Sequence, residues 1–117
     1  MRSISVQVQP ELSPGVDMDA LTTEFVAIAS RADLVAHHSF DSGNDRGAYF
    51  NYTFDALKPL ALWREIQARL YDNQETGSHM KRASMAMCSE EDGWDDYLQL
   101  FHYDSSVQLD STDVLSD

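Results

Sequence analysis

Cysteine is almost missing from this chain. Cys88 stands alone, which excludes an internal disulfide and any zinc centre built on cysteines. Glycine is sparse, and Gly43 and Gly47 have neither the spacing of a phosphate loop nor a following Lys-Ser/Thr pair. No apolar run approaches the roughly eighteen residues that a membrane-spanning helix needs. The opening segment MRSISVQVQP lacks the apolar stretch of a secretory signal. The expectation from these absences is a cytoplasmic protein that does not contact a membrane.

Basic residues are scarce and end early. The chain carries 8 Lys and Arg against 20 Asp and Glu, for a net charge of −12. None of the bases lies beyond Arg82, whereas nine acids follow it. Such a field opposes nucleic acid and anionic surfaces and favours a basic partner. Five of the acids crowd around one aromatic in Glu90-Glu91-Asp92-Gly93-Trp94-Asp95-Asp96.

What is present reads as one domain. Ile4, Val6 and Val8 alternate with polar residues, the period of a strand with one buried face. Pro10 and Ser13-Pro14-Gly15 end it. Asp17 or Asp19 can cap a helix whose stripe is Leu21, Phe25 and Ile28. Leu34, Ala36, His38 and Phe40 share a face of a second strand, and Phe50, Tyr52 and Phe54 a face of a third. The polar Asp41–Gly47 stretch forms their hairpin loop. A second helix runs from about Asp55 or Pro59 to Tyr71, Pro59 being tolerated only in the first turn, with Leu60, Trp63, Ile66 or Gln67, and Leu70 inward. Asp72–Ser78 is read as a polar exit loop, with His79 given no functional weight. A fourth strand follows with Ala83, Met85 and Met87 on its apolar row. A fifth, from Asp96 to Tyr103, has apolar side chains on both faces.

The order β-α-β-β-α-β-β predicts an α+β fold, an antiparallel sheet of four or five strands with two helices on one face, ferredoxin-like in arrangement. Residues 1–104 form the domain and 105–117 an acidic tail or short edge strand. The open sheet face is expected to show Gln7 and Gln9 from the first strand and Tyr49, Asn51 and Thr53 from the third. An aromatic row of Tyr97, Phe101 and Tyr103 would need cover from the tail or from a second copy of the chain, a homodimer.

Candidate chemistry is thin. His37 and His38 are neighbours on a strand and point to opposite faces, so they do not share a metal. His38 is expected at the core boundary. A centre of His37, His102 and Asp104 has suitable ligand chemistry but requires distant strands to adjoin. The consecutive acids at 90–96 lack calcium-loop spacing. Cys88 has no base within reach and reads as a small core residue. No catalytic residue, metal site or cofactor is assigned, and the reading leans against an enzyme. The leading expectation is an acidic protein-binding protein, an inhibitor or immunity-type protein that occludes a basic partner such as a nuclease or toxin. Glu90, Glu91, Asp92, Trp94, Asp95, Asp96 and Tyr97 would form its contact. One alternative is a dimeric ferredoxin-like enzyme or small-ligand-binding protein. Its pocket would be lined by Phe50, Tyr52, Trp63 and Phe101, with His37, His38 or His102 at the mouth. Another is a regulatory interaction module.

Overall fold

Strict alternation makes the first strand, and the same alternation decides which way the sheet faces. In the computed structural model, which describes residues 1–117, β1 (Ser3–Val8) buries Ile4, Val6 and Val8 completely. It lies at the centre of a five-stranded antiparallel sheet of order β2-β3-β1-β4-β5, with β2 at Val35–Asn44, β3 at Ala48–Ala56, β4 at Ser84–Cys88 and β5 at Leu98–His102. The first four strands have the ferredoxin-like arrangement, and β5 extends it beyond β4.

Helix α1 (Met18–Ala29) starts where the Asp17 carboxylate accepts from Ala20 N–H at 3.1 Å, and it buries Leu21, Phe25 and Ile28. Phe25 stacks on Tyr52 of β3 with ring centroids 3.8 Å apart. Helix α2 (Pro59–Ile66) begins with proline in its first turn and continues as a π-helical turn over Gln67–Tyr71. The wider turn brings the consecutive residues Leu70 and Tyr71 both into the core. The helices and the inward row of the sheet make one apolar cluster, and the other sheet face has no helix over it.

Three expectations are corrected. The exit loop is shorter than read, because Gly77–Ala83 forms a third helix, α3. It starts at Gly77, whose bare Cα packs against the Tyr71 carbonyl oxygen where a Cβ would collide. The apolar row of β4 is inverted: Ser84, Ala86 and Cys88 face the core while Met85 and Met87 lie on the open side. Ser84 tolerates burial because its hydroxyl donates to Met80 O at 2.6 Å and bonds the Tyr71 hydroxyl at 2.7 Å. In β5, a bulge opposite Ala86 and Met87 resets the alternation. Phe101 therefore packs on Tyr71, ring centroids 4.8 Å apart, and no exposed row of Tyr97, Phe101 and Tyr103 exists.

Beyond Asp104 the chain runs in turns and extended segments. Asp110 N–H donates to Gln99 O and its carboxylate accepts from Gln99 N–H. Leu115 is buried in the core, and Ser116 O accepts from Leu60 N–H at the start of α2. No helix is long and apolar enough to cross a membrane.

Candidate functional site

The open sheet face is polar, and its side chains are bonded to one another across the strands. Ser3 Oγ donates to Asp55 at 2.7 Å, and Ser5 Oγ and Thr53 Oγ1 lie 3.0 Å apart. Next along, Gln7 Nε2 donates to Asn51 Oδ1 at 3.0 Å, and Asn51 Nδ2 to Asp41 Oδ1 at 3.1 Å. Gln9 Nε2 donates to Gln7 Oε1 at 3.0 Å. The strand register places these partners directly: Ser5 opposite Thr53, Gln7 opposite Asn51, and Asn51 opposite Asp41.

At the Gln9 end this face deepens into a cleft of about 420 Å³. Its floor is Gln7, Gln9 and Asn51. One wall is the 3₁₀ turn Pro10–Leu12, which begins immediately after β1 because proline suits the first position of a helical turn. The other wall is the tip of the β2–β3 hairpin. Strand β2 runs four residues further into the expected loop than its composition suggests, and only Asp45, Arg46 and Gly47 are left to turn. Arg46 and Gly47 both have positive φ, 60° and 144°. The Glu11 carboxylate lies over Gly47, 2.8 Å from where a Cβ would stand, and the positive φ of Gly47 is the conformation that glycine adopts freely. Glu11 thus bridges the two walls, and Tyr49 lies flat over Gly43, its partner across the strands. A carboxylate, a phenol and three amides converge on one concave surface, with Arg46 at the rim. Such a surface can orient a small polar ligand and offer one group, Glu11, able to accept a proton or balance a positive charge.

The residues singled out from sequence are dispersed. Gln7, Gln9, Tyr49 and Asn51 were expected on the open face and do line the cleft. Glu11, Asp41 and Arg46 were missed. The available signal was Pro10, which folds the chain back within one turn of the strand end, so that Glu11 had to lie near a neighbouring strand. His37 and His102 sit on the two opposite edge strands of the sheet, and no cluster of His, Cys, Asp or Glu has the geometry of a metal centre. His38 is exposed rather than at the core boundary, tilted over Phe40 at 5.0 Å. His79 bonds Ser13 Oγ through Nδ1 at 2.7 Å, tying α3 to the 3₁₀ turn. His102 Nδ1 accepts from Asp104 N–H at 3.0 Å. Burial raises the Cys88 thiol above its ordinary value, which removes the thiolate a nucleophile needs.

The expected aromatic pocket does not form as one cavity. Tyr52 is stacked under α1, with its hydroxyl 2.8 Å from Thr22 Oγ1. Trp63 meets Tyr71 edge-on, and Tyr71 then meets Phe101. Phe50 and Tyr52 do share one shallow groove, with Phe40, Ser42 and Thr22 near the β2 edge, but Trp63 and Phe101 do not line it.

The acidic loop connects β4 to β5 at the far end of β1 from the cleft. Its groups are partly engaged within the chain. Glu91 lies 3.4 Å from the N-terminal ammonium and 3.8 Å from Arg2 Nε. Glu90 N–H donates to Gly93 O, and the Glu90 carboxylate accepts from Asp96 N–H at 3.1 Å. Asp92, Trp94, Asp95 and Tyr97 are exposed.

No family model matches the chain, and no curated protein matches it significantly. Among solved structures it is similar to a phage SAM lyase in complex with S-methyl-5′-thioadenosine, 14% identical, with a TM-score of 0.51 over 86% of this chain and 89% of that one. The likeness extends over nearly the whole domain and supports the fold. It also corrects the functional expectation: the chain resembles an enzyme holding a small molecule, and the reading of an inhibitor or immunity-type protein, with its leaning against catalysis, is withdrawn.

Proposed function

We propose that this chain is a small-molecule-binding enzyme whose ligand seats in the open-face cleft between the 3₁₀ turn and the β2–β3 hairpin. The observation that carries the reading is the cleft itself, where Gln7, Gln9, Glu11, Tyr49 and Asn51 converge. Polar groups held in fixed positions by cross-strand bonds can bind a ligand without first losing side-chain freedom, which keeps the entropic cost of binding low. The similar architecture of a SAM lyase that holds S-methyl-5′-thioadenosine supports the choice of an adenosine thioether as first probe. In this reading Glu11 is the acid–base or charge-balancing group, and Tyr49 contributes a flat apolar wall with a hydroxyl at its end.

Titration of the ¹⁵N-labelled protein with S-methyl-5′-thioadenosine tests this directly. Saturable shifts at Gln7, Gln9, Tyr49 and Asn51 are expected, and Glu11→Gln should weaken binding or abolish turnover of SAM without unfolding the chain. Shifts confined to other surfaces, or none at millimolar probe, would remove the proposal.

A further inference from the structure

The three amides of the cleft floor do not point at random. Asp41, as a carboxylate, can only accept. The Asn51 amide must therefore turn its NH₂ towards Asp41, as it does at 3.1 Å. That leaves Asn51 Oδ1 facing β1, where only a donor satisfies it, and Gln7 Nε2 supplies one. Gln7 Oε1 is then left to accept from Gln9 Nε2. The direction is inherited at each step, and the last group in line, Gln9 Oε1, has no partner within the protein. It is not a buried orphan, since no buried side-chain polar atom lacks a partner. Gln9 lines the cleft together with Glu11, itself an acceptor.

We infer that Asp41 is a specificity-determining positioning residue. From the far side of β3 it sets the direction of the relay Gln9→Gln7→Asn51→Asp41, so that the relay ends in the Gln9 carbonyl oxygen, an acceptor that favours a ligand with an N–H donor at that point over one without. The inference rests on the cleft being the ligand site, and it adds to that reading the chemistry the site prefers. Hydrogen bonds in a chain polarise one another, so a charged terminal acceptor strengthens each donor behind it. A ligand that offers an acceptor where a donor is wanted leaves two lone pairs opposed and Gln9 Oε1 desolvated without a partner, a mismatch that binding sites discriminate strongly. Arg46 and Asp45 line the same cleft from the hairpin tip, the first only donating and the second only accepting, whereas the relay runs along the strand rows and ends at Gln9.

Two probes differ in that donor alone: S-methyl-5′-thioadenosine carries an exocyclic amine, and its 6-deamino purine analogue a hydrogen in its place. Wild-type protein is expected to bind the amine at least tenfold more tightly. Asp41→Ala, a change at an exposed position, should reduce that ratio to within about threefold. It should also move the side-chain NH₂ resonances of Asn51, Gln7 and Gln9 in the free protein. Movement at Asn51 alone, or a preference that survives the substitution, would overturn the relay and leave the cleft reading standing. If neither probe binds at the cleft, the cleft reading fails and the ligand class assigned here fails with it.

Discussion

Tyr71 is where a single residue holds most structure together. It lies at the end of the π-helical turn, sits between Trp63 and Phe101, and bonds the buried hydroxyl of Ser84. Burial raises its phenol well above the ordinary 10.0, and the Ser84 bond only partly opposes this. In the unfolded chain the phenol ionises near 10, whereas in the folded chain it keeps its proton. Above pH 10 the folded state therefore binds more protons, so the contribution of Tyr71 is fully present below pH 10 and is lost as pH rises further. The slope from this one group approaches about 1.4 kcal/mol per pH unit. Urea unfolding between pH 8 and 11 should show a steeper loss for wild type than for Tyr71→Phe. The variant should start lower at pH 8 by about 1 kcal/mol, the worth of a typical hydrogen bond. Parallel curves would mean that the phenol reaches solvent.

Elements differ in how much of their placement can be read from residue order. Strand β1 is legible because its alternation is clean and both neighbours in the sheet bury the same row. Helix α1 is legible from its cap and stripe. The β4 row is not, because its inward serine and outward methionines reverse the usual hydrophobic assignment, and the Tyr71 and Met80 partners that satisfy the buried Ser84 come from the π-helical turn and from α3, neither of which the residue pattern shows. Helix α3 is hidden by Gly77-Ser78-His79, a poor helix former on propensity. It forms because Gly77 can approach the Tyr71 carbonyl and because Met80 and Ala83 fill the core. The cleft is half legible. Its floor follows from strand alternation, but Glu11 reaches it only through the 3₁₀ turn, and the shortened hairpin loop depends on Arg46 and Gly47 adopting positive φ. Gly77→Ala tests the α3 account. The added Cβ meets backbone, which cannot swing aside, so a loss of about 1–3 kcal/mol is expected in urea unfolding. A loss below about 0.5 kcal/mol would show that α3 slides freely against the preceding turn.

At the scale of the whole molecule, charge and site are separated. The acidic loop lies at the Ser3 end of β1 and the cleft at the Val8 end. The five steps from Ser3 to Val8, at about 3.3 Å each, put roughly 16 Å between those ends, longer than the screening length of about 10 Å at 0.1 M salt. Carboxylates at the loop should therefore have little influence on a neutral ligand in the cleft. They should influence stability, because a chain at −12 repels itself. Replacing Glu90, Glu91, Asp92, Asp95 and Asp96 by their amides leaves a net charge of −7. The internal pairs lost are exposed, Glu91 having 66% of its side chain in solvent, so removing them should cost less than about 1 kcal/mol. Wild type should gain stability between 0.05 and 0.5 M sodium chloride as repulsion is screened, and the five-fold variant should gain less. The affinity of both proteins for S-methyl-5′-thioadenosine at 0.1 M salt should agree within about twofold. A larger change in affinity would mean that the loop reaches the ligand, and the cleft would then not be the site that holds it.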